Sequence, residues 1–204
     1  MTKQSILAAF DVDGTLTTRD CVLPFMCRVA GRARVGRVGV RNGIALAQAA
    51  FGHQRDAAKA RLCRDVFGGR DVAMTQSLGA SFAEHVQAVW LRPDTLARLR
   101  WHQREGHRTA LVSASLDPYL LPLGASLGVD DVVCTELEVG SDGRFTGGLV
   151  DGNCRGPEKV RRLTARFGRA DVVYAYGDSA GDRELLAWAD HGVLVRRTTV
   201  SEAP

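Results

Sequence analysis

Two carboxylates at spacing i, i+2 close an apolar run near the start of the chain. Ser5–Leu16 reads SILAAFDVDGTL, with Asp11 and Asp13 followed at once by Gly14 and Thr15. Paired acids beside a hydrophobic segment are costly unless a cation holds them, and Mg²⁺ does so with oxygen ligands alone. Three later clusters complement them: Ser113 with Ser115 in VSAS, Lys159 in GPEK, and Asp178, Ser179 and Asp182 in GDSAGD. Together they supply a carboxylate nucleophile with an acid beside it, donors for an oxyanion, a fixed cation, and further carboxylates for a metal. That set fits phosphoryl transfer better than other common chemistries. A carboxylate can form a mixed anhydride with phosphorus, which splits the displacement into two steps. Its charge repels a phosphate dianion, so Mg²⁺ and Lys159 must offset that repulsion. Main-chain N–H groups around Val12–Gly14 and at Ala114 are expected to cradle the phosphoryl oxygens. Gly14 is expected to keep a Cβ away from the approaching group, and Thr15 to order the loop. Asp13 must cycle between protonated and ionised forms, which requires a raised pKa.

The elements that must position these groups are legible as strands with polar tips. The apolar run over 5–10 predicts a buried first strand. Residues 109–112, 131–135, 171–176 and 192–195 predict further strands, the second ending at Ser113-Ala114-Ser115. Helices are predicted over 93–105, opened by Pro93, and over 117–127, 158–167 and 182–189, with Ser115 expected to cap the second. Repeated strand, polar tip and helix predict an α/β fold, a Rossmann-like doubly wound and mostly parallel sheet with ligands beyond its strand ends. Around Ser141-Asp142-Gly143 the alternating segment 136–150 predicts a hairpin that either flanks the active-site mouth or extends the sheet. Residues 18–89 differ in texture. They predict helices near 23–29, 44–51, 55–67 and 74–89, with the glycine-broken stretch 31–43 read as a connector or an interrupted helix. The expected organisation is therefore a core of residues 1–17 and 90–204 with an inserted helical cap over 18–89.

DVDGTLT at 11–17, VSAS at 112–115, Lys159 in GPEK and GDSAGD at 177–182 resemble, in order, the four motifs of the haloacid dehalogenase superfamily. The insert after the first motif resembles the C1 cap of its subfamily IB, the phosphoserine-phosphatase-like group. This resemblance implies a Mg²⁺-dependent phosphomonoester hydrolase that works through an aspartyl-phosphate on Asp11. Asp13 then matches the acid that protonates the leaving oxygen and later activates water, and its main-chain carbonyl matches a metal ligand. Ser113 and Lys159 match phosphate-binding groups, Asp178 the metal carboxylate, and Asp182 the acid that completes or supports the metal shell. Gly181 stands where the fourth motif usually has Asn, which removes a side chain that would tune that shell. In phosphoserine phosphatases an acid shortly after the first motif and a cap arginine recognise the amino acid. Here Arg19-Asp20 occupies that place, with Asp20 one methylene shorter than the expected glutamate. The partner is left open among Arg28, Arg32, Arg34, Arg37 and Arg41. The implied substrate is a small phosphorylated metabolite. Phosphoserine itself, transfer to an alcohol acceptor, and a response-regulator-like phosphoacceptor are the alternatives. VSASLDPYL, TELEV, DGRFTG and YGDS resemble less characterised subfamily-IB hydrolases more closely than phosphoserine phosphatase proper.

The 204 residues, 45% hydrophobic and 25% charged, suit one α/β domain with a small insert. Residues 18–89 carry 11 Arg and Lys against 5 Asp and Glu, a balance of +6, while the remainder carries 16 against 18, or −2. A basic insert over an acidic core suits an anionic substrate and leaves room for contact with an anionic membrane surface. Nucleic acid is not an expected partner, because the basic stretch lacks a recognition motif or interleaved aromatics. Five scattered cysteines without a Cys-x-x-Cys pair indicate neither a disulfide scaffold nor a zinc site. With no signal-peptide pattern and no apolar run long enough to span a bilayer, a cytoplasmic protein is expected. The five histidines are isolated in sequence and are expected at the surface or in helix packing. Trp90, Trp101 and Trp188 are expected in the core or at the cap hinge.

Overall fold

A computed structural model describes residues 4–41 and 55–195. Its helices are α1 (Val22–Ala30), α2 (Arg32–Arg41), α3 (Arg55–Phe67), α4 (Val72–Val89), α5 (Pro93–Arg104), α6 (Asp117–Ser126), α7 (Pro157–Phe167) and α8 (Arg183–Trp188). The apolar run after Ser5 forms β1 (Ile6–Phe10), which pairs in parallel with β2 (Arg108–Leu116) and with β5 (Val172–Gly177). The outer strands are β3 (Asp131–Val139), parallel to β2, and β6 (His191–Leu194), parallel to β5. Among the described strands only β4 (Phe145–Val150) runs antiparallel, and the order is β4-β3-β2-β1-β5-β6. The doubly wound, mostly parallel sheet is as expected.

Side chains alternate across a strand, and here both faces are covered, which is why β1 is apolar throughout. Leu7 and Ala9 pack with Ala110, Val112 and Ala175 beneath Leu163 of α7 and Leu185 of α8. Ala8 and Phe10 join Leu111 and Tyr176 in a second cluster with Leu99 of α5 and Tyr119 and Leu120 of α6. That second cluster continues into the inserted segment through Phe25, Phe67 and Phe82. Ring centroids lie 4.9 Å apart for Phe25–Tyr119 and 5.3 Å for Phe82–Tyr119. The hairpin extends the sheet, turning at Gly143 with φ +73°, and also supports α3. The Gly69 N–H donates to the Phe145 carbonyl at 2.8 Å, and the Phe145 N–H to that of Arg70 at 2.9 Å. The chain enters and leaves the segment side by side. The Thr18 N–H donates to the Trp90 carbonyl and the Arg92 N–H to that of Leu16, each at 2.8 Å.

Several expectations need correction. β2 does not stop before Ser113 but runs on to Leu116, with a shift of register between Val112 and Leu116 that keeps the Ser-Ala-Ser segment extended. Helix α6 therefore begins at Asp117 with Leu116 at its N-cap, and Ser115 is not the cap. Of the two readings of 31–43, the helix holds over 32–41, and residues 42 and 43 lie outside the described residues. Helix α4 starts earlier than expected because the Asp71 carboxylate accepts from the Met74 N–H at 2.8 Å. The helix expected over 44–51 lies outside the described residues.

Two of the histidines, isolated in sequence, meet in space. His102 and His107 face each other with Nδ1 atoms 2.8 Å apart, and His191 stacks on Tyr174 with centroids 4.5 Å apart. His102 is fully buried, and burial together with Arg98 and His107 pushes its pKa down to about 3. Among the described residues no helix is long and apolar enough to cross a membrane.

Candidate active site

The C-terminal ends of β1, β2 and β5 and the first turn of α7 converge on a cavity of about 550 Å³. At its floor Lys159 of α7 reaches two acids from different strand ends. Its Nζ lies 2.6 Å from Asp11 Oδ1 and 2.5 Å from Asp182 Oδ1. All three are buried, and Lys159 is only 2% exposed. Burial works against the charge on Lys159, but Asp11 and Asp182 outweigh it and hold the ammonium above its ordinary pKa. The other oxygens are also engaged. Asp11 Oδ2 accepts from the Thr15 hydroxyl at 3.2 Å. Asp182 Oδ2 accepts from the Ser179 N–H at 3.0 Å and from its hydroxyl at 2.9 Å.

Asp178 completes a group of three, with one oxygen each from Asp11, Asp178 and Asp182 lying within 4.8 Å of one another. Burial, then Asp11 and Asp182, push Asp178 up to about 6. Three acids against one ammonium leave a local excess of negative charge, and the donors are all hard oxygens. The set therefore fits a divalent cation of the Mg²⁺ type. Gly14 explains how Asp178 comes so close. Its φ is +83°, and a Cβ there would lie 2.7 Å from Asp178 Cγ and nearer still to Oδ2. The space expected to serve an incoming phosphoryl group is thus occupied in part by a carboxylate.

Asp13 points elsewhere. Its Oδ1 accepts from the Cys21 N–H at 2.9 Å and its Oδ2 from the Ser115 hydroxyl at 2.7 Å. Ser115 in turn accepts from the Tyr119 hydroxyl at 2.7 Å. Burial raises the Asp13 pKa to about 7, with Asp20 and Asp11 adding to the shift and the Ser115 hydrogen bond opposing it. A carboxyl poised there can exist in both protonation states near neutrality.

Gly14, Ser113, Ala114, Arg19 and Asp20 all line the cavity, whereas Thr15 does not; Thr15 is fully buried and bonded to Asp11. The Arg19 guanidinium lies 5.0 Å from the Trp90 ring centroid, and Asp20 accepts from the Leu23 N–H at 3.1 Å. Arg28, Arg32, Arg34 and Arg37 do not line this cavity; the Arg41 side chain lies outside the described residues. Arg28 bonds Ser81, and Arg34 bonds the Asp65 carbonyl.

The inserted segment instead sends in Lys59, whose Nζ donates to the Ala114 carbonyl, to Asn153 Oδ1 at 2.7 Å and to Thr135 Oγ1 at 3.3 Å. Burial lowers its pKa. The available signal was its register: Lys59 lies in line with Cys63 and Val66 on the buried stripe of α3. Asn153 and Arg155 were also missed, and Ser115, singled out with Ser113 and expected to cap a helix, instead donates to Asp13. A Cβ at Gly181 would sit 3.0 Å from Arg155 Nε, so the glycine that replaces the usual Asn leaves its space to an arginine.

The model of the haloacid dehalogenase-like hydrolases matches residues 8–187. Protein CicA of Caulobacter vibrioides is 38% identical over 191 residues, covering 93% of this chain and 86% of that protein. A probable phosphatase of Mycobacterium tuberculosis is 27% identical, over 92% of this chain and 68% of its own length. A substrate-bound phosphoserine phosphatase shares the fold with a TM-score of 0.60 at 16% identity, covering 92% of this chain and 84% of that one.

Proposed function

We propose, from the premise that this chain belongs to the haloacid dehalogenase-like hydrolases, that it is a Mg²⁺-dependent phosphatase acting on small organic phosphomonoesters. The observation that carries this reading is the division of labour between two neighbouring acids. Asp11 is held by Lys159 and Thr15 beside two further carboxylates, while Asp13 is turned away from them and raised to about 7. In the first step an Asp11 oxygen attacks phosphorus, the ester P–O bond breaks, and Asp13 gives its proton to the departing oxygen. In the second, Asp13 takes a proton from water as that water attacks phosphorus. The bond to Asp11 then breaks, and inorganic phosphate leaves. Lys159 offsets the charge of the transferring group, and Ser113 with the main-chain N–H groups of Ala114 and Gly14 orients its oxygens. Mg²⁺, held by Asp11, Asp178 and Asp182 with the Asp13 main-chain carbonyl, would add positive charge against the phosphoryl oxygens when bound. Residues 18–89 act as a cap that sets specificity, with Arg19 and Asp20 at the mouth.

The test is phosphate release from a panel of phosphomonoesters with and without Mg²⁺, in the wild type and in Asp11→Asn. Loss of at least about 1,000-fold on substitution, and of all release without metal, is expected. An Asp11→Asn variant that turns over as fast as wild type would remove Asp11 as the nucleophile. Phosphorylated alcohol appearing in place of phosphate would identify a transferase.

A further inference from the structure

We infer that the phosphomonoester cleaved here has an apolar alcohol as its leaving group, an inference that rests on the phosphatase reading above. A second cavity, of about 510 Å³, lies between α1, α2 and α3. It shares Asp20, Val22 and Lys59 with the catalytic cavity, so the two chambers meet at one junction. Beyond that junction the surroundings change character. Leu23 and Met26 of α1, Val35 of α2 and Leu62 of α3 form the wall, and Arg32 is the only other charged side chain among its described lining residues.

Two features argue that this chamber is kept open rather than left by poor packing. Gly36 and Gly39 both line it from the interior of α2, where glycine costs up to about 1 kcal/mol against alanine. A Cβ at either would meet no described residue within 4 Å. Larger side chains would therefore fit and would favour the helix.

The junction also fixes which end of a substrate enters. Phosphorus belongs at Asp11 and Lys159, and the leaving oxygen must meet Asp13. Asp13 lines the catalytic cavity together with Asp20 and Lys59, and those two residues also line the second chamber, so the leaving group runs past Asp20 and Lys59 into the apolar chamber. A serine leaving group would place an ammonium and a carboxylate there. At the junction Asp20 already accepts from the Leu23 N–H and Lys59 already donates to Ala114, Asn153 and Thr135, and among the described residues the wall beyond offers such charges only Arg32. A hydrocarbon chain matches it.

The experiment measures kcat/KM for methyl, butyl, hexyl and octyl phosphate and for phosphoserine, all as free monomers, with the full chain and Mg²⁺. Each methylene moved from water into an apolar wall is worth about fourfold, so octyl phosphate should exceed butyl phosphate on the order of 100-fold until the chamber is full. Gly36→Leu and, independently, Gly39→Leu fill the chamber from helix positions with room for a side chain. Each should cut the octyl-to-methyl ratio at least tenfold. Asp11-dependent hydrolysis with no dependence on chain length, or a preference for phosphoserine over octyl phosphate, overturns the inference and leaves the phosphatase reading standing. Absence of Asp11-dependent hydrolysis for every ester tested overturns both.

Discussion

Replacing Lys159 by methionine keeps the stem of the side chain and removes its charge from between two buried acids. The ammonium lies 2.6 Å from Asp11 and 2.5 Å from Asp182, whose side chains are 8% and 1% exposed. Without it the two carboxylates face one another out of water. Breaking a buried pair by deleting one partner costs about 3–5 kcal/mol. For a domain of this size each kcal/mol shifts Tm by about 2–4 °C, so metal-free Lys159→Met should melt roughly 6–20 °C below wild type at pH 7.5. The deficit has a sign in pH. With the opposing ammonium gone, burial raises the folded-state pKa of Asp11 further above its ordinary value of 3.8. Such a group supports the fold at low pH and ceases to do so as pH rises through the raised value. The gap to wild type should therefore narrow between pH 7.5 and pH 5, and excess Mg²⁺ should narrow it as well. Thermal unfolding in EDTA at both pH values, repeated with Mg²⁺, reads all three effects. A metal-free variant within about 1 kcal/mol of wild type at pH 7.5, or a gap that widens on acidification, would refute the view that Lys159 balances buried acids.

Ser115→Ala removes a hydrogen bond that favours ionised Asp13, so its pKa should rise above about 7, by up to about one unit. The limb of the kcat–pH profile that needs the carboxylate should move alkaline; an unmoved profile would mean that Ser115 does not tune Asp13. Gly14→Ala should raise the Mg²⁺ concentration for half-maximal activity at least tenfold. Its Cβ displaces Asp178, and the positive φ costs about 1–2 kcal/mol more, so an unchanged metal requirement would contradict this geometry. His102, at about 3 when folded and 6.5 ordinarily, binds a proton more readily in the unfolded chain between those values. Stability should thus fall as pH drops below about 6.5, by about 2 kcal/mol from this residue at pH 5. A His102→Asn variant should lack that part of the slope in urea titrations at pH 7 and pH 5, and parallel slopes would argue against it.

By itself the sequence determined the parts whose information is local. An apolar run ending in Asp11-Val12-Asp13-Gly14 specifies a buried strand with acids at its tip, because strand burial and turn chemistry act within a few residues. The hairpin at 141–143, the bounds of α3, and the order of four short polar clusters were legible for the same reason. Tertiary structure decided what those tips touch. Ser115 was read as a helix cap from its neighbours in sequence, yet its partner is Asp13, 102 residues away. An arginine was sought among Arg28, Arg32, Arg34, Arg37 and Arg41, but none of the described ones lines the cavity, and α3 sends in Lys59 instead. Which face of α3 meets the Ala114 carbonyl depends on how that helix sits against β4 and the rest of the sheet. Side-chain type sets the chemistry a residue can do. Whether it does so is settled by the packing of elements far apart in the chain, and that packing alone opened the apolar chamber beside the acids.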